Sequence, residues 1–494
     1  MPLSKVASYC ILGIDAQPIS IEVHISNGLP GLSVVGLPEA AVRESKDRVR
    51  SAILNSHFEF PARRITVNLA PADIPKTGAG FDLPIALGIL HASGQIDCSS
   101  LDGYAFIGEL SLSGDIRPVK GALPMAMAAT SEKTTLLAPC GNETELSIFT
   151  SDHQKLAGSL IEVCSYLGGQ STLDSGKKIQ VDTAPSRHCF SEVRGQAPAK
   201  RAMEIAASGK HSLLMMGPPG TGKTMLAERL SGILPSISNE AALEVASIYS
   251  VAGIPRDLFA EPPFRAPHHT ASSAALVGGG SRPLPGEISL AHQGVLFLDE
   301  LPEFTNKVLE TLRQPLESGE IWVSRAAMKS IFPAKFQLIT AMNPCPCGHL
   351  GQAKCRCTPD RVRQYQSKVS GPLLDRIDMQ IQVSQPDKST FFEKSAEESS
   401  ESIRARVLSA QQRQLSRQDD LNSHISIRQL ESTLNSPVLK NMAMAATETI
   451  GLSARALHRT VRVARTIADL DTAKEIEEQH FAEALSYRQR LNIG

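Results

Sequence analysis

A glycine-rich segment near the middle of the chain carries residues suited to binding phosphate. It reads GPPGTGKT from Gly217 to Thr224, after an apolar run that ends at Met216. Glycines allow the backbone to wrap around a phosphate with its N–H groups inward, and the N-terminus of the helix that follows favours negative charge. We expect Lys223 to neutralise the outer phosphates of a nucleotide and the Thr224 hydroxyl to ligate Mg²⁺. The predicted nucleotide-binding residues are Gly217, Pro218, Pro219, Gly220, Thr221, Gly222, Lys223 and Thr224, together with Asp299.

Two further apolar runs end in polar residues that fit the same chemistry. Asp299 and Glu300 follow the run GVLFL, and Asn343 follows FQLITAM. Ligands of open α/β sheets bind beyond the carboxyl ends of the strands. We predict that Asp299 holds Mg²⁺, that Glu300 polarises the attacking water and that Asn343 holds this water near the outermost phosphate. Arg376 lies between two aspartates in SGPLLDRIDMQI, where a surface ion-pair network is the alternative to a catalytic role.

Four of the nine cysteines lie close together in one short segment, CPCGHLGQAKCRC. Four thiolates are a common ligand set for a tetrahedral structural Zn²⁺, and His349 is a substitute ligand in the same segment. The C-x-C spacing is less usual than C-x₂-C, so free thiols are the alternative. The five other cysteines are dispersed, which favours a reducing compartment over a disulfide framework. The predicted zinc ligands are Cys345, Cys347, Cys355 and Cys357.

The apolar pattern divides the 494 residues into three parts and a linker. Residues 1–170 alternate β-branched runs with helical stretches, which is typical of an α+β domain. A polar linker is predicted at 171–189. Residues 190–384 combine long apolar strands with helices, as a parallel sheet requires, and residues 385–494 have a helical pattern. We therefore predict an α/β phosphate-loop core between an α+β domain and a helical domain.

The composition limits where a partner can bind. Hydrophobic residues make up 42% and charged residues 20% of the chain, as in ordinary globular proteins. The formal net charge is −1, so any contact with DNA must come from local patches. No apolar stretch is long enough to span a membrane. The first residues lack a charged leader with a cleavage site, and we expect a cytoplasmic protein.

Long segments of the chain resemble AAA+ ATPases of the magnesium-chelatase-like group, and most closely the ComM/YifB family. They include GLSVVGLPEAAVRESKDRVRSAI, NLAPADIPKTGAGFDLPIALGIL, FRAPHHTASSAALVGGG, PGEISLAHQGVLFLDELPEF, AMNPCPCG, SGPLLDRID and LSARALHRTVRVARTIADL. The resemblance implies an AAA+ core with a C-terminal helical lid. It implies that Asn343 is the first sensor, that Arg376 is an arginine finger and that Arg455 is the second sensor on the lid. A finger that reaches a neighbouring subunit's ATP implies a ring, expected to be a homo-hexamer.

The N-terminal part resembles the proteolytic domain of Lon, which has a ribosomal S5 domain 2-like fold. By this resemblance, the position of the Lon serine is taken by Gly80 and that of the Lon lysine by Leu123. Without a hydroxyl and an amine there is no Ser–Lys nucleophile, so we expect the fold to be kept and proteolysis to be lost. Lys76 and Lys120 are expected to be ordinary surface lysines, with a DNA-facing patch as the alternative.

The family resemblance implies an ATP-dependent hexameric DNA motor, a helicase that promotes branch migration during homologous recombination and natural transformation. Its implied partners are single-stranded and branched DNA, and its cofactors are ATP, Mg²⁺ and structural zinc. The alternatives are a magnesium-chelatase-type motor that acts on a protein partner and a scaffold without activity. The intact nucleotide motifs argue against the scaffold. The Lon-like part and the cysteine segment argue against the chelatase motor.

Two segments are candidates for DNA contact in the pore of such a ring. Residues 317–337 indicate a strand, a turn and a strand, with the cations Arg325 and Lys329 near the turn. Residues 264–286 are rich in glycine and small residues. Both segments could instead only pack subunits together. The side chains in the second segment that could meet phosphates are Arg265, His268, His269 and Arg282.

Overall fold

The chain folds into two compact units. The first unit comprises Met1–Asp182 with Asn239–Phe259, and the second comprises Thr183–Ser238 with Ala260–Gly494. The computed structural model describes residues 3–37, 39–76, 78–96, 101–149, 151–176, 188–256, 258–279, 283–325, 328–385, 397–426, 428–430 and 436–488. The boundary between Asp182 and Thr183 falls in the predicted linker, most of which lies outside the described residues.

A mixed sheet is the centre of the first unit. Its strands are β1 (Leu3–Leu12), β2 (Asp15–Ser26), β3 (Gly31–Val35), β4 (Arg64–Ala70), β5 (Tyr104–Phe106), β8 (Thr135–Pro139) and β9 (Gln154–Ala157). Strands β6 (Glu109–Leu110) and β7 (Ile116–Arg117) form a small separate pair. The helices in this range are α1 (Ala40–Asn55), α2 (Asp82–Ala92), α3 (Ala122–Ser131), α4 (Glu143–Leu146) and α5 (Leu160–Leu167). The sheet order is β3-β4-β2-β1-β5-β8-β9. Strand β2 is antiparallel to β1 and β4, and the other neighbours are parallel.

The sequence of β2 explains which face of this sheet is buried. Ile19, Ile21, Val23 and Ile25 occupy alternate positions and are all buried. Side chains at every second position of a strand share one face, and β-branched residues pack well there. Helix α2 packs on β1 and β2. The approach is so close that a Cβ at Gly88 would lie 2.5 Å from a methyl carbon of Val23.

The remaining elements include both strands and helices as far as residue 382, and the elements described after it are helices. The strands are β10 (Leu213–Met216), β11 (Phe264–Arg265), β12 (Gly278–Gly279), β13 (Leu284–Pro285), β14 (Val295–Leu298), β15 (Glu320–Arg325), β16 (Met328–Pro333), β17 (Gln337–Met342) and β18 (Met379–Gln382). The helices are α6 (Ala197–Gly209), α7 (Lys223–Leu230), α8 (Asn239–Ala252), α9 (Ser273–Val277), α10 (Glu287–Leu290), α11 (Asn306–Thr311), α12 (Pro315–Ser318), α13 (Pro359–Gln366), α14 (Gly371–Leu374), α15 (Ser400–Gln418), α16 (Pro437–Ile450), α17 (Ala454–Leu470) and α18 (Glu478–Ser486).

A parallel sheet of order β11-β14-β17-β10-β18 forms the centre of the second unit. Every neighbouring pair in it is parallel, which confirms the parallel sheet predicted from the apolar runs. All residues of β10, β14 and β17 are buried, which is why these runs are largely apolar. The two polar side chains of β17, Gln337 and Thr340, donate to backbone carbonyls of Ala206 and Leu213. Helices α15 and α17 add Val407 and Val461 to the same core. In the part of the chain that the structure describes, no helix is long and apolar enough to cross a membrane.

Helix α8 departs from the predicted domain order. The sequence predicts that these residues belong to the core at 190–384, but Asn239–Phe259 is part of the first unit. There α8 packs against α3, and the Ser250 carbonyl accepts a hydrogen bond of 3.0 Å from Gly121 N. The apolar pattern of α8 identifies a helix that needs a partner. It does not identify which sheet or helix supplies that partner.

Lys76 is not the surface residue that the sequence predicted. Its side chain is fully buried, and its ammonium donates to the carbonyl oxygen of Pro71. Burial disfavours the charged form and lowers the pKa of Lys76. A role in a DNA-facing patch is therefore also wrong for this lysine. Lys120 is exposed, as predicted.

Candidate active site

The glycine-rich loop joins β10 to α7 and has a conformation that requires its glycines. Gly220 and Gly222 have φ angles of 74° and 81°, in the left-handed region that glycine adopts without strain. A Cβ at Gly217 would lie 2.1 Å from the carbonyl oxygen of Val383. The loop thus follows a buried strand and leads directly into a helix at Lys223, which is the arrangement that the phosphate-binding motif needs.

Lys223 lies over this loop with its ammonium bound to three oxygens. Its Nζ donates to the carbonyls of Gly217 and Pro218 at 2.8 and 2.9 Å, and to Asn343 Oδ1 at 3.2 Å. Burial lowers the pKa of Lys223, while the nearby carboxylates of Asp299 and Glu300 oppose this shift. The contact with Asn343 brings together two predicted residues that follow neighbouring strands in the chain, since β10 pairs with β17.

Thr224 and Asp299 form the predicted magnesium pair. The Thr224 hydroxyl donates to Asp299 Oδ2 at 2.5 Å, and the other oxygen of Asp299 accepts from the Glu300 backbone N–H at 2.8 Å. A hydroxyl and a carboxylate are oxygen ligands of the kind that Mg²⁺ uses in phosphate-loop proteins. These residues therefore fit the cation that the motif implies.

Glu300 has an unusual backbone and a histidine beside its carboxylate. Its φ angle is 52°, which is uncommon for a residue other than glycine. Its side chain is 52% exposed, so that a water molecule can reach it, and His269 Nδ1 lies 3.2 Å from its Oε2. His269 also lies against the ring of His268, at 4.1 Å between centroids. The sequence placed His269 in a pore segment, whereas the structure places it beside the predicted base.

The other residues predicted for DNA contact have mixed outcomes. Arg265 lies in β11 and pairs with Glu287 through two contacts of 2.7 Å, so its charge is neutralised within the unit. The two predicted strands of the other segment are confirmed as β15 and β16, which pair in antiparallel register, while the turn between them lies outside the described residues. Arg282 and the side chains of Arg325 and Lys329 lie outside the described residues. Their contact with DNA stays a prediction.

Arg376 and Arg455 meet at a residue that the sequence did not single out. Arg376 Nη2 lies 2.6 Å from Glu317 Oε1, and Arg455 Nη1 lies 3.2 Å from the same oxygen. The ion pair that the sequence left open for Arg376 therefore exists, although neither neighbouring aspartate is the partner. No local pattern could have identified Glu317, because it lies 59 residues before Arg376.

The cysteine segment forms a compact group of four sulfur atoms. All four Sγ atoms lie within 4.8 Å of one another, and the three pairs among Cys345, Cys347 and Cys355 are at 3.4, 3.7 and 4.0 Å. A tetrahedral zinc with Zn–S bonds of about 2.3 Å requires sulfur–sulfur distances of roughly 3.8 Å, so the group fits this ion. His349 binds the Gln352 side chain at 3.2 Å instead of joining the group. The sulfur ligands in question are Cys345, Cys347, Cys355 and Cys357.

The cysteine segment also packs against the phosphate loop. A Cβ at Gly348 would lie 2.5 Å from Pro219 Cδ, and Gly348 has a φ of 81°. Cys345 follows β17 two residues after Asn343 and is buried. A structural ion in this segment would therefore support both the loop and the predicted first sensor.

Comparisons with known proteins agree with this geometry. Family profiles described as "Magnesium chelatase, subunit ChlI", "Subunit ChlI of Mg-chelatase" and "Magnesium chelatase, subunit ChlI C-terminal" match residues 189–391, 21–142 and 397–488. These matches define a magnesium-chelatase-like protein of the AAA+ type.

Full-length relatives narrow this class. "Competence protein ComM" of Haemophilus influenzae is 46% identical over 503 residues, covering 100% of this chain and 99% of the relative. "Uncharacterized protein YifB" of Escherichia coli is 46% identical over 492 residues, covering 99% and 97%. The chain therefore belongs to the ComM/YifB family. The magnesium-chelatase 38 kDa subunit of Cereibacter sphaeroides is 28% identical over 174 residues, covering 31% of this chain and 52% of that protein.

Proposed function

We propose that the chain is the subunit of a homo-hexameric, ATP-hydrolysing DNA motor that promotes branch migration during recombination and natural transformation. The observation that carries the ATPase part is the cluster at the carboxyl edge of the parallel sheet. There Lys223 contacts Asn343, and Thr224 contacts Asp299. Ligands of α/β sheets bind at this edge. The DNA part rests on the family and on the name of one relative, "Competence protein ComM".

Each residue of the cluster has a role in this proposal. Lys223 binds the outer phosphates, and Thr224 with Asp299 holds Mg²⁺, which when bound offsets phosphate charge. Glu300 accepts a proton from the attacking water, and His269 holds the Glu300 carboxylate in place through its ring nitrogen. Asn343 orients the water. Arg376 from a neighbouring subunit stabilises the charge that develops as the outermost phosphoryl group is transferred to water. Arg455 senses the nucleotide from the helical lid.

The first unit has no role as a protease in this proposal. Gly80 has no hydroxyl, and a Cβ there would meet only Val119 at 3.6 Å, so space alone does not exclude a serine. Leu123, at the position of the Lon lysine, is fully buried and carries no amine. We propose that the Lon-like fold is kept without its nucleophile, and that the four cysteines hold a structural zinc.

A magnesium-chelatase-type motor that acts on a protein partner is the second candidate. The family profiles favour it, because all three descriptions name the chelatase subunit ChlI. The match at 21–142 means that the N-terminal unit does not by itself separate the two functions, contrary to the expectation from the sequence. The curated chelatase subunit, however, covers only 31% of this chain, whereas ComM covers all of it.

ATP-driven strand displacement on forked and four-way DNA junctions separates these functions. The DNA motor predicts that the full chain binds and unwinds such junctions with ATP, and that Lys223→Ala abolishes unwinding. A ring that hydrolyses ATP but neither binds nor remodels any DNA would reject the DNA motor and favour the chelatase-type motor.

A further inference from the structure

One oxygen of Glu317 binds two arginines that come from different parts of the second unit. Arg376 precedes β18, and Arg455 lies in the first turn of α17. Their guanidinium groups approach Glu317 Oε1 to 2.6 and 3.2 Å. Both arginines are predicted to act on nucleotide, and both are attached to the same carboxylate of their own subunit.

Arg376 is enclosed where it lies. Its side chain is only 7% exposed, and its Nη1 donates to the carbonyl oxygen of Pro372 at 2.7 Å. Its buried Nε finds no hydrogen-bond partner among the described residues. A guanidinium held in this way cannot bind a phosphate of a neighbouring subunit at the same time. Carboxylate and phosphate bind the guanidinium fork in similar ways, so one anion can replace the other.

Glu317 is also attached to the base of the β15–β16 hairpin. Helix α12 ends at Ser318, Gly319 turns the chain with a φ of 70°, and β15 begins at the next residue. The chain that leaves β16 returns to the same point, because Ala334 N donates to Gly319 O at 2.7 Å. A cavity of about 320 Å³ lies beside α12, lined by Glu317 and Lys335 among others. A displacement of the hairpin base can therefore move Glu317 without a clash on that side.

We propose that Glu317 is a positioning residue that competes with nucleotide phosphates for Arg376, the predicted finger, and for Arg455, the predicted second sensor. The hairpin base carries Glu317, so DNA that engages the hairpin shifts this competition and releases the arginines. This inference rests on the proposed function, because it takes Arg376 as the finger and the hairpin as the DNA contact.

The test is Glu317→Gln in the full chain, which keeps the shape of the side chain and removes its charge. We expect kcat for ATP to rise about threefold to tenfold, since one ion pair no longer opposes release of the finger. The KM for ATP should stay within about twofold, because the phosphate loop is unchanged. The matched control is Asp360→Asn, an exposed carboxylate 3.9 Å from Arg363 on α13, which should leave kcat at the wild-type value.

Two further variants test the route of the effect. Glu317→Gln combined with Arg376→Ala should be as slow as Arg376→Ala alone, because the gain acts through the finger. Glu317→Asp keeps the charge with a shorter reach and should give a smaller gain, which also provides a reading if the glutamine variant does not fold. The proposed competition would be overturned by a kcat of Glu317→Gln at or below the wild-type value, or by a gain that survives the loss of Arg376.

Forked DNA separates failure of this inference from failure of the proposed function. In wild type, DNA should stimulate ATP turnover, and in Glu317→Gln the stimulation should shrink because the basal rate is already raised. If DNA does not stimulate ATP turnover by the wild-type protein, the DNA motor is rejected. The turnover rates of wild type and Glu317→Gln without DNA still test whether Glu317 competes for the arginines. If Arg376→Ala hydrolyses ATP slowly and Glu317→Gln hydrolyses it at the wild-type rate, Arg376 remains the finger and the competition by Glu317 is rejected.

Discussion

The phosphate loop and the arginine pair are the two regions predicted to act on ATP, and they differ in what surrounds them. At the phosphate loop, Lys223 contacts Asn343, and Thr224 contacts Asp299, so the predicted residues meet one another. Arg376 and Arg455 meet Glu317 instead. Residues at the ends of adjacent parallel strands assemble when the sheet forms. The two arginines come from separate elements of the second unit, and the group they share, Glu317, lies outside the predicted ATP site.

The largest expected effect concerns the arginine pair. Arg376→Ala should bind ATP normally and lose about 10³-fold or more in hydrolysis, because a finger stabilises charge only during transfer. Turnover and nucleotide affinity measured on the same preparation give both quantities. Arg313→Ala, an exposed arginine paired with Glu310, is the matched control and should hydrolyse normally.

Mixing subunits sharpens the same prediction. Arg376→Ala and Glu300→Gln should each be inactive alone and regain part of the activity together, since each can supply what the other lacks. No recovery at any ratio, in rings shown to contain both subunits, would mean that Arg376 acts within its own subunit or only as an ion pair.

The next effect concerns the phosphate loop, where we expect different variants to affect ATP binding and ATP hydrolysis. Glu300→Gln should bind ATP and lose about a hundredfold to a thousandfold in kcat, because the general base is gone. Lys223→Ala should lose binding, since the phosphate charge is not compensated. Glu303→Gln, three residues further and paired with Lys368 at 3.7 Å, should retain turnover. Full hydrolysis by either of the first two variants contradicts the assignment.

A smaller effect should connect the cysteine segment to the phosphate loop. Protein purified without chelators should contain about one zinc per subunit, as measured by elemental analysis. Cys355→Ser should lose the metal and weaken ATP binding about tenfold, because Gly348 packs against Pro219. Cys140→Ser, at an exposed cysteine of the first unit, should change neither quantity. Folded and active wild-type protein without metal would refute the zinc site.

The smallest effect is expected at the hairpin. Replacing Arg325 and Lys329 with alanine should weaken single-stranded DNA binding by a few fold and lower the salt slope by roughly 1.4, since each phosphate contact contributes about 0.7. Titrations over a range of salt concentrations measure this slope, and the KM for ATP should not change. Arg363→Ala, an exposed arginine on α13, serves as the control. An unaltered slope in the double variant would exclude these cations as phosphate contacts.

Much of the second unit could be predicted because its signals are local. The runs at β10 and β14 are apolar and that at β17 is nearly so, and the phosphate loop, Asp299 and Asn343 follow them at the carboxyl edge of the sheet. The docking of α8 onto the first unit could not be predicted, since an amphipathic helix does not specify its partner. The burial of Lys76 could not be predicted either, because lysines are rarely fully buried and residue type alone therefore predicts an exposed side chain.

By itself, the sequence determined the phosphate loop, the strands that flank it, the cysteine group and the family to which the chain belongs. These depend on residue type and on short spacing, which are visible without coordinates. Only the tertiary structure decided that His269 lies beside Glu300, that Gly348 packs on Pro219, and that Glu317 holds Arg376 and Arg455. Such contacts join residues that are distant in the chain, and the packing of whole elements, rather than any local preference, brings their side chains within bonding distance.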